Sequence, residues 1–230
     1  MKKIIVFCIS AFLCLLVSGS IIARDFQSIK LPPHDFKKGK MPKELTVTQA
    51  LWARESTKSF KDQDLDPGDI SNILWAAVGV NRIITATDGT ITRKLTIPLA
   101  RNQQHVSVYA VLKQGVYLYD FINNELNLVL AGDHRSETTT GQAYVYDAPL
   151  DLIFVSDLSK LSFVTGPELY YTAAISIGCA IQNVYLYVAG TQRLGAVCRT
   201  SIDTKLWAEY LGLSDNQMIM GTQTVGYPAD

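Results

Sequence analysis

The chain has 230 residues, 48% of them hydrophobic, and 21 basic residues balance 21 acidic ones. That is enough apolar material for one substantial core, with about 200 residues left for a single domain once a leader is set aside. A formal net charge of zero removes the summed field by which a protein gathers nucleic acid or an anionic membrane surface.

Lys2 and Lys3 precede an uncharged run over residues 4–23, and Arg24 and Asp25 follow it. Residues 1–23 therefore read as a signal peptide, with Ser18 and Ser20, or Ala23, ahead of the cleavage point. An uncleaved anchor is the other reading, because about 20 apolar residues span about 30 Å as a helix. The expectation is an exported, periplasmic bacterial protein. Cys8 and Cys14 leave with such a signal, and the remaining Cys179 and Cys198 are too few for a disulfide scaffold. An oxidising compartment permits one bridge between them; the ordinary reading is two small buried side chains.

Residues 24–44 hold Pro32, Pro33, Gly39 and several lysines without periodicity, the composition of an extended surface arm ahead of a domain over residues 45–230. The pattern predicts helices over 45–54 and 65–78. In the second, Asp66 is placed to cap, Pro67 suits the first turn, and Ile70, Ile73, Leu74 and Ala77 share one face. Residues 106–112 and 116–120 read as two strands joined at Gln114 and Gly115, with a further turn at Asn123 and Asn124. Residues 150–155 form an apolar run expected of a central strand. Residues 171–191 are long, apolar and alanine-rich, as in a central helix buried on most sides. A strand over 194–198, a helix capped by Asp203 and ending near Leu211, and a strand over 218–225 complete a mixed α+β layer structure.

The segment A-R-E-S-T-K-S-F, residues 53–60, sets Arg54, Ser56 and Lys58 at alternate positions of an extended stretch, so that they point the same way. A guanidinium fork, a hydroxyl and a mobile ammonium on one side form a donor set for a phosphate and an electron-rich ring. The plain alternative is a solvated helix exit. Further on come L-W-A-A-V-G-V-N-R at 74–82, I-P-L-A-R-N-Q-Q at 97–104, G-V-Y-L-Y-D at 115–120, A-G-D-H-R at 131–135 and I-Q-N-V-Y-L-Y at 181–187.

In this order the motifs resemble the nitroreductase superfamily over residues 31–230, and in particular its azoline dehydrogenase branch from peptide-modifying systems. The resemblance implies a mainly antiparallel central sheet flanked by helices, in an interwoven homodimer with FMN at the interface. It implies that Arg54 and Ser56 bind the phosphate and ribityl chain. Lys58 would approach the pyrimidine edge, where a cation stabilises the reduced anion. It further implies that Pro98, Leu99, Ala100 and Asn102 reach the flavin from the neighbouring subunit, and that Cys198, Arg199 and Thr200 touch the ring. For Asn102 a turn role is the alternative, for Arg199 a surface cation, and for Gly178, Gln182 and Asn183 a structural role in the helix.

Three features depart from the family pattern: Leu99 stands where serine is familiar, Glu55 where a base is common, and no basic tail follows to Asp230. Glu55 is expected to face solvent. The implied activity is an FMN-dependent oxidoreductase that moves two electrons, as a hydride, to or from a small organic substrate in ping-pong order. NAD(P)H would be a transient donor, and export makes its supply a difficulty. The alternative is an exported flavin- or ligand-binding module without turnover. No residue stands out as a general acid. His34, His105 and His134 lack metal-ligand spacing, and neither a G-x-S-x-G elbow nor a G-x-G-x-x-G turn occurs.

Overall fold

The computed structural model describes residues 28–34 and 45–229. The expected signal peptide and most of the expected arm therefore lie outside the described residues. Seven strands make one sheet: β1 (Ser28–Lys30), β4 (Val106–Leu112), β5 (Gly115–Asp120), β6 (Glu125–Ala131), β7 (Leu150–Asp157), β8 (Gly195–Arg199) and β9 (Gln217–Gly226). Their order across the sheet is β1-β6-β5-β4-β7-β9-β8, and each of these neighbouring pairs is antiparallel. Strands β2 (Val80–Thr85) and β3 (Ile91–Leu95) form a separate, largely exposed hairpin. The helices are α1 (Val47–Ala53), α2 (Pro67–Val78), α3 (Pro167–Thr191) and α4 (Thr204–Leu211).

The apolar run of β7 arises because both faces of this strand are covered. Leu150, Leu152 and Phe154 face the larger core with Ile73 and Leu74 of α2 and Ala180 and Val184 of α3. Ile153 and Val155 face the opposite side, where Trp207 of α4 is fully buried. Strand β4 divides in the same two-residue rhythm, with Val106, Val108 and Ala110 in one cluster and Tyr109 and Val111 in the other.

Local signals set the helix ends. Thr46 and Gln49 make a reciprocal capping box at α1, and the Asp203 carboxylate accepts from the N–H groups of Lys205 and Leu206 at α4. Asp66 occupies the N-cap of α2, but its carboxylate makes no capping bond, so the expected side-chain cap is corrected to Pro67 within the first turn. The expectation for α3 also needs correction. Its inner face packs on the sheet, and Gln223 of β9 donates to the Ile181 carbonyl at 3.2 Å, yet Tyr171 and Ile175 are 69% and 64% exposed. The helix thus carries two apolar faces, of which the sheet, α1 and α2 cover one.

The arm joins the sheet. Residues 28–30 pair with β6, Leu31 is buried, and the Pro32 carbonyl accepts from Ser71 Oγ at 2.7 Å and Asn124 Nδ2 at 2.8 Å. His34 lies beside Trp75, ring centroids 5.8 Å apart, and burial lowers its pKa below the ordinary 6.5. His105, just before β4, is fully buried and is held below 6.5 mainly by burial, with Lys160 adding to the effect and Asp157 opposing it.

Both histidines therefore bind fewer protons in the folded chain than in the unfolded one. Their contribution is intact above the unfolded value of 6.5 and is lost as pH falls through that value toward the lowered folded ones. Urea unfolding is expected to give lower stability at about pH 5.5 than at about pH 7.5, with His105→Gln narrowing the gap. Equal stability at the two pH values would contradict the assignment.

Candidate functional site

After α1 the chain runs extended beside β8, anchored by Thr57 N–H to the Ala196 carbonyl at 2.9 Å. The approach is close enough that a Cβ on Gly195 would lie 2.7 Å from Thr57 Cβ, so glycine is needed in β8 at this point. Arg54, Ser56 and Lys58 alternate along this stretch, as the spacing predicts. Among the described residues neither Arg54 nor Lys58 has a carboxylate partner.

One side chain from α3 organises the stretch. The Tyr185 hydroxyl is 3.0 Å from Ser56 Oγ and accepts from the Cys198 N–H at 2.7 Å. The Arg54 guanidinium lies over the same tyrosine ring, 5.2 Å from its centroid, in cation–π contact. Tyr185 thus brings the first motif and Cys198 together. It falls within the 181–187 motif, whose pattern alone gives it no role. The available signal was a tyrosine in an apolar helix, whose hydroxyl needs a partner when buried.

Glu55 is exposed, and with Thr57 it lines a cleft of about 290 Å³ whose walls include Tyr185, Gln192, Arg193 and Gly195. Arg193 is not free to serve a ligand there. Its guanidinium forms a two-pronged pair with buried Asp69, Nη1 to Oδ2 at 2.7 Å, which raises the arginine pKa further.

Cys198 and Thr200 are exposed at the end of β8. Both cysteines are free, with Cys198 exposed and Cys179 half-buried, so the reading of two buried side chains is corrected for Cys198. Arg199 also departs from expectation. Because successive strand residues face opposite ways, its side chain crosses to the α4 face and is fully buried. There it meets Asp151 Oδ1 at 2.7 Å, the Thr138 carbonyl at 2.8 Å and Thr224 Oγ1 at 2.9 Å. Thr224 in turn donates to Asp151. The Arg199 guanidinium is thereby withdrawn from the candidate site, and it is not a surface cation either. Burial pushes the Asp151 carboxyl up, while Arg199 and the nearby hydroxyls act against that shift.

The second motif lies elsewhere in the chain. Pro98 and Ala100 are exposed, Leu99 packs against the larger core, and residues 100–102 form a single 3-10 turn. Arg101 and Asn102 have φ of 52° and 58°, a left-handed pair without glycine. The Asn102 N–H donates to the Leu99 carbonyl, while its carboxamide has no hydrogen-bond partner among the described residues. Ser176 of α3 donates to the Pro98 carbonyl at 3.2 Å. Ser176 and Tyr185 stand nine positions apart on one helix, about 14 Å along its axis. Among the described residues no hydrogen bond or ring contact joins the two motifs, which are tied to α3 at separate points. Asn183 is structural, its amide reaching the carbonyls of Ala76 and Thr96 at 3.1 and 3.2 Å, and Gly178 and Gln182 are exposed.

The model of the nitroreductase family matches residues 51–227, a span that contains all of these segments. The chain belongs to the nitroreductase family. Among solved structures, this family member is 32% identical to a protein from Ralstonia eutropha JMP134 described as a candidate nitroreductase. The match covers 88% of this chain and 90% of the other, with a TM-score of 0.76. In fold it also resembles the NADPH:FMN oxidoreductase of Vibrio harveyi, at 19% identity, coverage of 80% and 69%, and a TM-score of 0.58. Nitroreductase A of Vibrio parahaemolyticus RIMD 2210633 is similar at 21% identity, coverage of 80% and 68%, and a TM-score of 0.58. A comparison with curated proteins finds no match.

Arg199→Leu is expected to strand the Asp151 carboxylate and to cost about 3 to 5 kcal/mol in urea unfolding. A loss under about 1 kcal/mol, the range of a surface pair, would contradict the structural role given to Arg199.

Proposed function

We propose that this nitroreductase-family chain is an FMN-dependent oxidoreductase that works as a homodimer. The observation that carries the reading is the donor set at residues 54–58. Two cations without carboxylate partners among the described residues flank a hydroxyl, and Tyr185 holds the stretch against β8. Such a set suits a ligand with a phosphate at one end and an electron-accepting ring at the other. Arg54 and Ser56 would hold the phosphate and ribityl chain, and Lys58 the pyrimidine edge. When bound, FMN would supply two-electron chemistry, taking a hydride from one small molecule and reducing another in ping-pong order.

The protein's own part is electrostatic. The Lys58 ammonium stabilises negative charge at the pyrimidine edge, and the fixed guanidinium of Arg54 needs no reorganisation to receive a phosphate. The Asn102 carboxamide, without a hydrogen-bond partner among the described residues, and the exposed Pro98 and Ala100 fit a role toward the flavin of a second copy, since their loop is tied to α3 at Ser176, nine positions from the Tyr185 tie of the first motif. Homodimerisation is supported by the outward apolar residues Tyr171 and Ile175 of α3 and by Trp52 of α1, which is 93% exposed.

The R-x-S-x-K-x-F, L-W-A-A-x-G and P-x-A-x-N order supports the azoline dehydrogenase branch, in which the substrate is oxidised. Export is carried by the residues 1–23 pattern alone. Outside the cytoplasm NAD(P)H is scarce, so the flavin would be reduced by the organic substrate itself or by another donor.

Reconstitution with FMN is expected to give a yellow protein that NADPH or dithionite bleaches and a quinone or nitroaromatic reoxidises. A protein that takes up no FMN would refute the reading. Bound FMN that exchanges electrons with none of these partners would favour a binding module instead. Lys58→Ala is expected to weaken FMN binding about tenfold or lower the midpoint potential by about 30 mV, the two-electron equivalent. Unchanged affinity and potential would remove Lys58 from the site.

A further inference from the structure

His105 sits where three elements meet: the end of the 98–104 loop, strand β7 and helix α3. Its ring is fully buried, with Nδ1 at 2.8 Å from Ser156 Oγ of β7 and Nε2 at 3.2 Å from Ser176 Oγ of α3. Both serines are buried as well. Ser176 has one hydroxyl hydrogen, and the Pro98 carbonyl, an acceptor only, takes it. The Ser176 oxygen must then accept from His105, which puts the ring hydrogen on Nε2 and makes Nδ1 the acceptor of the Ser156 hydroxyl. The bonds run in one direction from Ser156 through His105 and Ser176 to the Pro98 carbonyl.

We propose that His105 is a positioning residue that fixes the 98–102 loop on α3 through Ser176, and so sets the reach of Asn102 toward the flavin of the partner subunit. The proposal rests on the FMN reading given above. The loop needs such a fixture because Arg101 and Asn102 are both held in the left-handed region, which non-glycine residues keep only where the surroundings hold them. Its other ties run to different elements: Arg101 lies over Phe163 at 4.7 Å, and Gln104 Nε2 donates to the Arg93 carbonyl at 3.1 Å. The Ser176 bond is the tie to α3, the helix that also carries Tyr185. With Ser156 holding the far side of the imidazole, the ring is fixed in orientation as well as in tautomer. His105 thus transmits the position of β7 and α3 to a loop in which Pro98, Ala100 and Arg101 are exposed and Asn102 is half-buried.

The test compares the wild type with Ser176→Ala, His105→Phe, the double variant and His105→Gln, which keeps an N–H donor for Ser176. FMN dissociation constants come from titration of flavin fluorescence, and amide hydrogen exchange is followed on the flavin-free proteins. Ser176→Ala and His105→Phe are each expected to raise the FMN dissociation constant about tenfold, with the double variant no worse than the weaker single one. Exchange over residues 98–104 should quicken about tenfold while β8 and β9 keep their wild-type protection, and His105→Gln should lie within about threefold of wild type in both readouts. Variants that bind FMN as tightly as wild type, or exchange that quickens evenly over the whole sheet, would overturn the positioning role alone. A wild type that binds no FMN would overturn the flavin reading and this proposal together.

Discussion

The hydroxyl of Tyr185 joins two stretches of chain that are remote in sequence: Ser56, just after α1, and the Cys198 N–H in β8. The ring of the same residue lies beneath the Arg54 guanidinium. Without that hydroxyl the extended residues 54–58 would keep their backbone tie at Thr57 but lose the contact that fixes which way Ser56 faces. A charged stretch on an exposed helix exit is ordinarily a mobile set of charges. Tying it to a core helix converts it into a donor set with a definite direction, the condition for electrostatic stabilisation without reorganisation.

The fold supplies the rigidity behind this contact. Helix α3 is pinned to β9 by Gln223, and to the ends of α2 and β3 by Asn183. On the opposite sheet face, Arg199 is bonded to Asp151, Thr138 and Thr224 in a fully buried network directly behind Cys198. Such a buried pair adds little net stability relative to apolar packing, but its geometry is unforgiving, and here it locks β8 to β7 and β9. The same helix carries Ser176 nine positions before Tyr185, so one rigid rod holds both residues 54–58 and the 98–102 loop.

Much of the fold was legible because burial follows local periods. The 3.6-residue rhythm of α2, the two-residue rhythm of β4 and the Asp203 cap of α4 all lie in short windows. The hairpin β2-β3 leaves no such signature, because β2 is mostly exposed, β3 is mostly half-buried and neither shows apolar alternation. The pairing of residues 28–30 with β6 links positions almost 100 apart and leaves no local trace. The site divides in the same manner. Arg54, Ser56 and Lys58 follow from spacing in an extended stretch. Tyr185 and the burial of Arg199 depend on partners brought in by tertiary structure, and an arginine at a strand end looks the same in sequence whether it meets a ligand or a buried aspartate.

On the proposed reading, Tyr185 holds residues 54–58 in place as a flavin-binding donor set. Equilibrium titration of FMN against the wild type and Tyr185→Phe tests it most directly, because the substitution removes only the hydroxyl and leaves a ring beneath Arg54. One FMN per wild-type chain and about tenfold weaker binding by the variant are expected, the scale of one lost hydrogen bond to a positioned group. Equal affinity in the two proteins, or no uptake by either, would contradict it.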